Sequence, residues 1–201
     1  MNVIKEEHIK EYEKRVSIIQ NVIAYAYSDY YYLVHLEPYL EKYKPKTEAE
    51  AQILLPARNF MNSIVRTLQE EFILIICSLD DDNDKTNSIK QLHKKLKDSY
   101  LVNFDIYSKQ MREMPEKDTD YIKFARNKAI AHIQFECKNK KVYMVKVKNR
   151  LEILKNCFNS YLFDDMVKYK INDNLLKKIE TESQIGVEQF FSGFVHIICN
   201  R

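Results

Sequence analysis

An all-α helical bundle is predicted for this chain, and three observations carry that prediction. Turn-formers are scarce: two glycines and four prolines in 201 residues leave little material for hairpins. Apolar side chains recur at three- and four-residue spacing over long uninterrupted stretches. The composition, 45% hydrophobic and 30% charged, is ordinary for a globular chain of one domain, residues 1–201, with a sizeable core. One stretch leaves room for an exception. Between Cys137 and Asn149, Val142, Met144, Val145 and Val147 sit between lysines, so a short β-hairpin near 138–148 fits the pattern.

The first helix is predicted from Val3 to about Tyr43, with Ile4, His8, Tyr12, Ile18, Val22, Tyr25, Tyr32, Leu36 and Tyr39 on one side. Pro38 is expected to kink or end it. The tyrosine run Tyr25–Tyr32 is read as a core and dimer face rather than a base-stacking surface. Thr47 with Glu50 forms a capping box that opens a second helix, running to about Leu79 with a kink or break near Leu55, before Pro56. Its apolar series Phe60, Ile64, Leu68, Phe72, Ile75 and Leu79 is expected at the centre of the core. The acidic turn Asp80–Asp84 follows, read as a solvated link. Asn87 or Ser88 caps a short helix to Leu96, and Ser99–Met114 is expected to continue as helix until Pro115. Asp118 or Thr119 then opens a helix to Phe135. Two more helices, about Lys148–Tyr161 and Asn174–Cys199, close the chain.

Charge is unevenly placed. The net +3 hides a window, Lys123–Lys155, with ten Lys/Arg against two acids, so this window carries +8 and the remainder −5. That asymmetry suits a nucleic-acid or phosphate partner. The four cysteines form no CxxC pair and no zinc spacing with the five histidines, so free thiols are expected. Met1–Lys14 is charged and lacks an apolar core, and the longest apolar runs are too short to span a bilayer. A cytoplasmic location with no membrane association is expected.

The chemistry-bearing stretch is Arg126-Asn127-Lys128-Ala129-Ile130-Ala131-His132. Ile122, Ala125, Ala129 and Ile133 make a narrow apolar stripe that lets another helix approach closely. Arg126, Asn127, Lys128 and His132 flank it. A histidine exchanges protons near neutral pH, and a guanidinium neutralises charge developing on phosphate oxygens. With the 2′-hydroxyl of RNA as internal nucleophile, those two groups suffice for cleavage without a metal or cofactor. Asn127 would hold the phosphate or orient the histidine. The structural alternative pairs Arg126 with Glu70, Glu71 or an aspartate of the acidic turn, and His132 with a backbone carbonyl.

This stretch resembles the HEPN superfamily, whose signature is an Arg, a polar residue and a His four to six positions after the Arg. RNKAIAH is most similar to the abortive-infection branch. FILIICSLDDD (Phe72–Asp82) and NSIKQLHKKLKD (Asn87–Asp98) fit the same branch, so the resemblance covers roughly residues 60–135. It implies a HEPN-like core of about residues 47–165, with a long N-terminal and a C-terminal helix packed on it. It also implies an endoribonuclease of bacterial defence or of a toxin–antitoxin-like response, with Arg126, His132 and Asn127 as catalytic residues. The expected RNA contacts are Lys128, Lys138, Lys140, Lys141, Lys146 and Lys148.

Residues six apart on a helix differ by about 120° around the axis and about 9 Å along it, so Arg126 and His132 do not share a face. A homodimer with a composite site, as is common among HEPN ribonucleases, resolves this. Gln134 stands where the toxin subtype paired with a nucleotidyltransferase carries Tyr, which disfavours that subtype. The other reading implied is a non-catalytic interaction module, or a partner subunit of a defence system.

Overall fold

The computed structural model of the protein describes residues 4–42, 44–109, 111–116, 119–131 and 143–199. Its helices are α1 (Ile9–Lys42), α2 (Glu48–Leu79), α3 (Ile89–Lys95), α4 (Phe104–Tyr107), α5 (Thr119–Ala131), α6 (Met144–Ser160) and α7 (Asp173–Cys199). Among the described residues there is no strand, only an isolated antiparallel bridge between Ile4 and Leu101. The fold is all-α. No helix of the described residues is long and apolar enough to cross a membrane.

The chain packs as two units. One comprises Met1–Ala26 with Ile73–Asn172, the other Tyr27–Phe72 with Asp173–Arg201. In the first, α1 buries Tyr12, Val16, Ile19 and Ile23, a strict four-three-four spacing that keeps one face inward. The expected series through Ile18, Val22 and Tyr25 is displaced from this, because the six-residue step from Tyr12 to Ile18 leaves the face; Tyr25 is exposed. Ile76, Leu79, Ile89, Leu92, Leu96, Leu151, Leu154 and Phe158 complete the core of this unit, and the Tyr12 hydroxyl donates to the Tyr161 carbonyl at 2.5 Å.

In the second unit Leu36, Met61, Val187 and Phe191 form the centre, with Tyr32, Tyr39, Ile64 and Leu68 packed against it. Tyr39 stacks on Phe191 with centroids 4.1 Å apart. Gly186 lets Tyr32 come close: a Cβ there would sit 3.1 Å from its hydroxyl oxygen. Phe60, expected in the core, is 52% exposed, and its neighbour Met61 is buried in its place. One residue of rotation, about 100°, separates the two faces.

Neither proline ends its helix. Pro38 lies inside α1 and Pro56 inside α2, each on an exposed position. Val34 and Gln52, whose carbonyls lose a donor, are exposed too, so water can serve them. Thr47 caps α2 as expected, its Oγ1 accepting from the Glu50 amide at 3.2 Å, while the Glu50 carboxylate reaches back to the Lys46 amide at 2.7 Å. Two expectations are corrected. Ser99–Met114 is not a continuous helix: a π-helical turn at Leu96–Tyr100 gives way to the single turn α4 and then to non-helical chain. The second half of the expected hairpin is helical, since α6 begins at Met144; the alternating Val145 and Val147 fall on opposite sides of a helix whose face continues through Leu151 and Leu154. Residues 138–142 lie outside the described residues.

Candidate active site

Helix α5 carries Arg126 and Asn127 on its exposed side, while Ile122 and Ala125 are buried. The small Ala125 allows the close packing expected of this stripe. The Cys77 thiol, near the end of α2, points at the Ile122 carbonyl from 3.8 Å. Between these elements lies a cleft of about 320 Å³, lined by Cys77, Asp80, Asp81, Asp82, Lys90, Glu116, Thr119, Ile122, Lys123 and Arg126.

The acidic turn forms one wall and is tightly built. Ser88 caps α3 by accepting from the Gln91 amide at 3.0 Å and donates to the Asp81 carbonyl at 2.5 Å. The Gln91 side chain donates to the Asp82 carbonyl at 2.6 Å. Asp80 is not the solvated residue the sequence reading expected. It is 8% exposed and accepts a fork from Arg150, Nε to Oδ2 at 2.9 Å and Nη2 to Oδ1 at 2.8 Å. Lys90 adds a third cationic contact at 3.2 Å. Asp82 pairs with Lys94 at 2.6 Å, and Asp81 accepts from the Asn83 amide at 3.3 Å. No group of three or more His, Cys, Asp or Glu among the described residues is arranged to hold a metal ion.

Some of the pairings expected as the structural alternative for Arg126 are thus taken by other groups. Glu70 binds Arg66 at 2.8 Å, and Asp80 and Asp82 have the ion-pair partners just named. Among the described residues no carboxylate lies within ion-pair distance of Arg126, so its charge faces the cleft. Burial pushes the Cys77 thiol up to about 11, with Asp80 and Asp81 adding to the rise and Arg126 opposing it.

The remaining expected site residues divide. His132, Lys138, Lys140 and Lys141 lie outside the described residues, and Lys128 falls within α5. Lys146 and Lys148 sit on α6 and do not line the cleft. Lys146 holds its ammonium 4.8 Å from the Tyr121 ring centroid, and the Tyr121 hydroxyl accepts from the Tyr143 amide at 2.5 Å, so this corner ties α6 to the start of α5. Lys148 pairs with Glu152, which also binds Lys155 at 2.7 Å. His93, by contrast, is packed 5.5 Å from Tyr161, and burial holds its pKa below the usual value.

Arg150 is the residue that sequence reasoning missed, having been counted only as part of the basic window. It is 1% exposed and sits in the apolar stripe Val147, Leu151, Leu154 and Phe158 of α6. That placement was the available signal, since an arginine at core spacing needs a buried acid.

No curated protein and no solved structure matches the chain. A family model does: the HEPN family AbiU2 matches residues 7–163, which takes in the N-terminal helix as well as the cleft and α6. The chain therefore belongs to the AbiU2 family of HEPN domains, an abortive-infection group.

Proposed function

We propose that this protein is a metal-independent endoribonuclease of the HEPN type, acting in abortive-infection defence on single-stranded RNA. The observation that carries the reading is Arg126: it lines a cleft in which Asp80 and Asp82 are held by other cations, and among the described residues no carboxylate lies within ion-pair distance of it. A guanidinium so placed is available to a phosphate. In the reaction the 2′-oxygen bonds to phosphorus and the bond to the 5′-oxygen breaks. The 2′-hydroxyl loses its proton, the leaving oxygen gains one, and His132 serves one of these transfers. Arg126 neutralises the charge gathering on the non-bridging oxygens, and Asn127, exposed beside it, orients the phosphate or the imidazole. A second copy of the chain supplies the complementary residues across a two-fold axis.

The test is cleavage of single-stranded RNA in EDTA. Wild-type protein is expected to leave 2′,3′-cyclic phosphate ends and to spare a substrate with 2′-deoxy at the cut position. His132→Ala and Arg126→Ala are each expected to lose about a hundredfold or more. Cleavage surviving His132→Ala, or appearing only with added divalent metal, would overturn the mechanism.

A second reading, a non-catalytic interaction module, is favoured by one observation. The second unit has an open apolar groove of about 300 Å³, lined by Tyr32, Leu36, Ile64, Leu68, Gly186, Val187 and Phe190, with Phe60 exposed in the same unit. That reading predicts an intact dimer or partner complex and no cleavage by wild-type protein.

A further inference from the structure

We propose that Arg150 is a positioning residue that sets where helix α5, and with it Arg126, stands in the cleft. Its role as a locator for the reacting arginine rests on the ribonuclease reading; its role in fixing α5 does not.

Among the described residues, the guanidinium of Arg150 holds three kinds of partner. Nε and Nη2 hold the carboxylate of Asp80, at the end of α2. Nη1 donates to the carbonyl of Pro115 at 2.6 Å, four residues before α5 begins. Nη2 lies 3.5 Å from the hydroxyl of Thr119, the first residue of α5. One rigid planar fork thus ties α2, α6 and the entry to α5 together. Thr119 and Asp80 both line the cleft, as does Glu116, which follows Pro115. Two turns further along α5 stands Arg126. A shift at the helix entry is carried down a rigid helix, and small misplacements of a charge-stabilising group cost rate rather than binding.

A buried ion pair can serve stability alone, so the test must separate the two roles. Three variants do so: Arg150→Lys, Arg150→Met, and Arg150→Met combined with Asp80→Leu. The last removes both charges and leaves apolar groups, which restores much of the lost stability. It cannot restore the hold on the Pro115 carbonyl. Amide hydrogen exchange of the full-length protein is read on peptides covering residues 115–126 and on peptides from the rest of α1, α2 and α6, alongside kcat and KM for single-stranded RNA.

In the double variant, exchange at 115–126 is expected to stay about tenfold or more faster than wild type while the other helices recover. Its kcat should fall about tenfold with KM changed less than twofold. Arg150→Lys, which reaches Asp80 but lacks the fork, should show the same local effect in milder form and without general loosening. Recovery of 115–126 together with the other helices in the double variant would overturn the proposal, as would unchanged exchange there in Arg150→Lys. If wild-type protein cuts no RNA, the ribonuclease reading falls, and the exchange data alone decide the positioning role.

Discussion

Arg126 and Arg150 belong to the same basic window, yet the fold uses them in opposite ways. Arg150 sits inside the stripe of α6 with Asp80, Pro115 and Thr119 around it, its side chain fully shielded. Arg126 sits on the exposed side of α5, lining a cleft in which Asp80 and Asp82 are bound elsewhere. Identical side chains therefore divide by burial: the shielded one needs a counter-ion delivered by the fold, whereas the exposed one can be left to solvent or a ligand. Local net charge is a poor guide to a binding surface when part of it is internal. At least Arg150, Lys148 and Lys155 of the +8 window are paired inside the first unit.

The strongest way to break this contrast is to strip Arg150 of its partner. Asp80→Ala leaves a shielded guanidinium without its carboxylate, beside the Lys90 ammonium, and is expected to destabilise the protein by about 3–5 kcal/mol in denaturant unfolding. A loss under about 1 kcal/mol would mean that water reaches Arg150 and that the burial argument fails. Arg126→Ala should do the reverse. Stability should change by no more than about 0.5 kcal/mol, as for an exposed helix position, while any RNA cleavage falls about a hundredfold. Destabilisation comparable to that of Asp80→Ala would place Arg126 in the structural class.

A third charge sharpens the contrast from the other side. Asp29, in the second unit, has a buried Oδ2 with no hydrogen-bond partner among the described residues, and burial, assisted by nearby Glu71, pushes its carboxyl from 3.8 up to about 7. The folded state keeps this proton where the unfolded chain has lost it. Stability should therefore decline as pH rises from about 4 to about 7, and level off above. Asp29→Asn should flatten that slope and stabilise the protein at pH 8 by about 1–2 kcal/mol, a figure discounted for partial exposure. Parallel pH–stability curves for variant and wild type would show that Asp29 ionises normally in the fold. The smallest effect is expected at the lysines. Replacing Lys140, Lys141, Lys146 and Lys148 together should weaken RNA binding for all sequences and flatten its salt dependence. Replacing Lys148 alone should change the salt slope least, because Glu152 already holds it; a large change from Lys148 alone would contradict that pairing.

What the sequence by itself determined is what depends on near neighbours. The scarcity of Gly and Pro, the helical spacing, the Thr47 capping box and the Ser88 cap each act within a turn or two of chain, and α2, α3, α5 and α7 stand close to where they were expected. The family resemblance was legible for the same reason, since its motif spans seven consecutive positions. What only the tertiary structure decided is what depends on partners distant in the chain. Which of two adjacent residues, Phe60 or Met61, turns inward is a rotation fixed by the packing helix. Whether residues 144–148 pair as strand or wind as helix was settled by the buried run that continues through Leu154. Arg150 and Asp80 find each other across 70 positions, a match no local pattern encodes. Helix formation is paid mostly by bonds four residues apart, whereas a buried charge is stable only where the whole fold delivers its opposite.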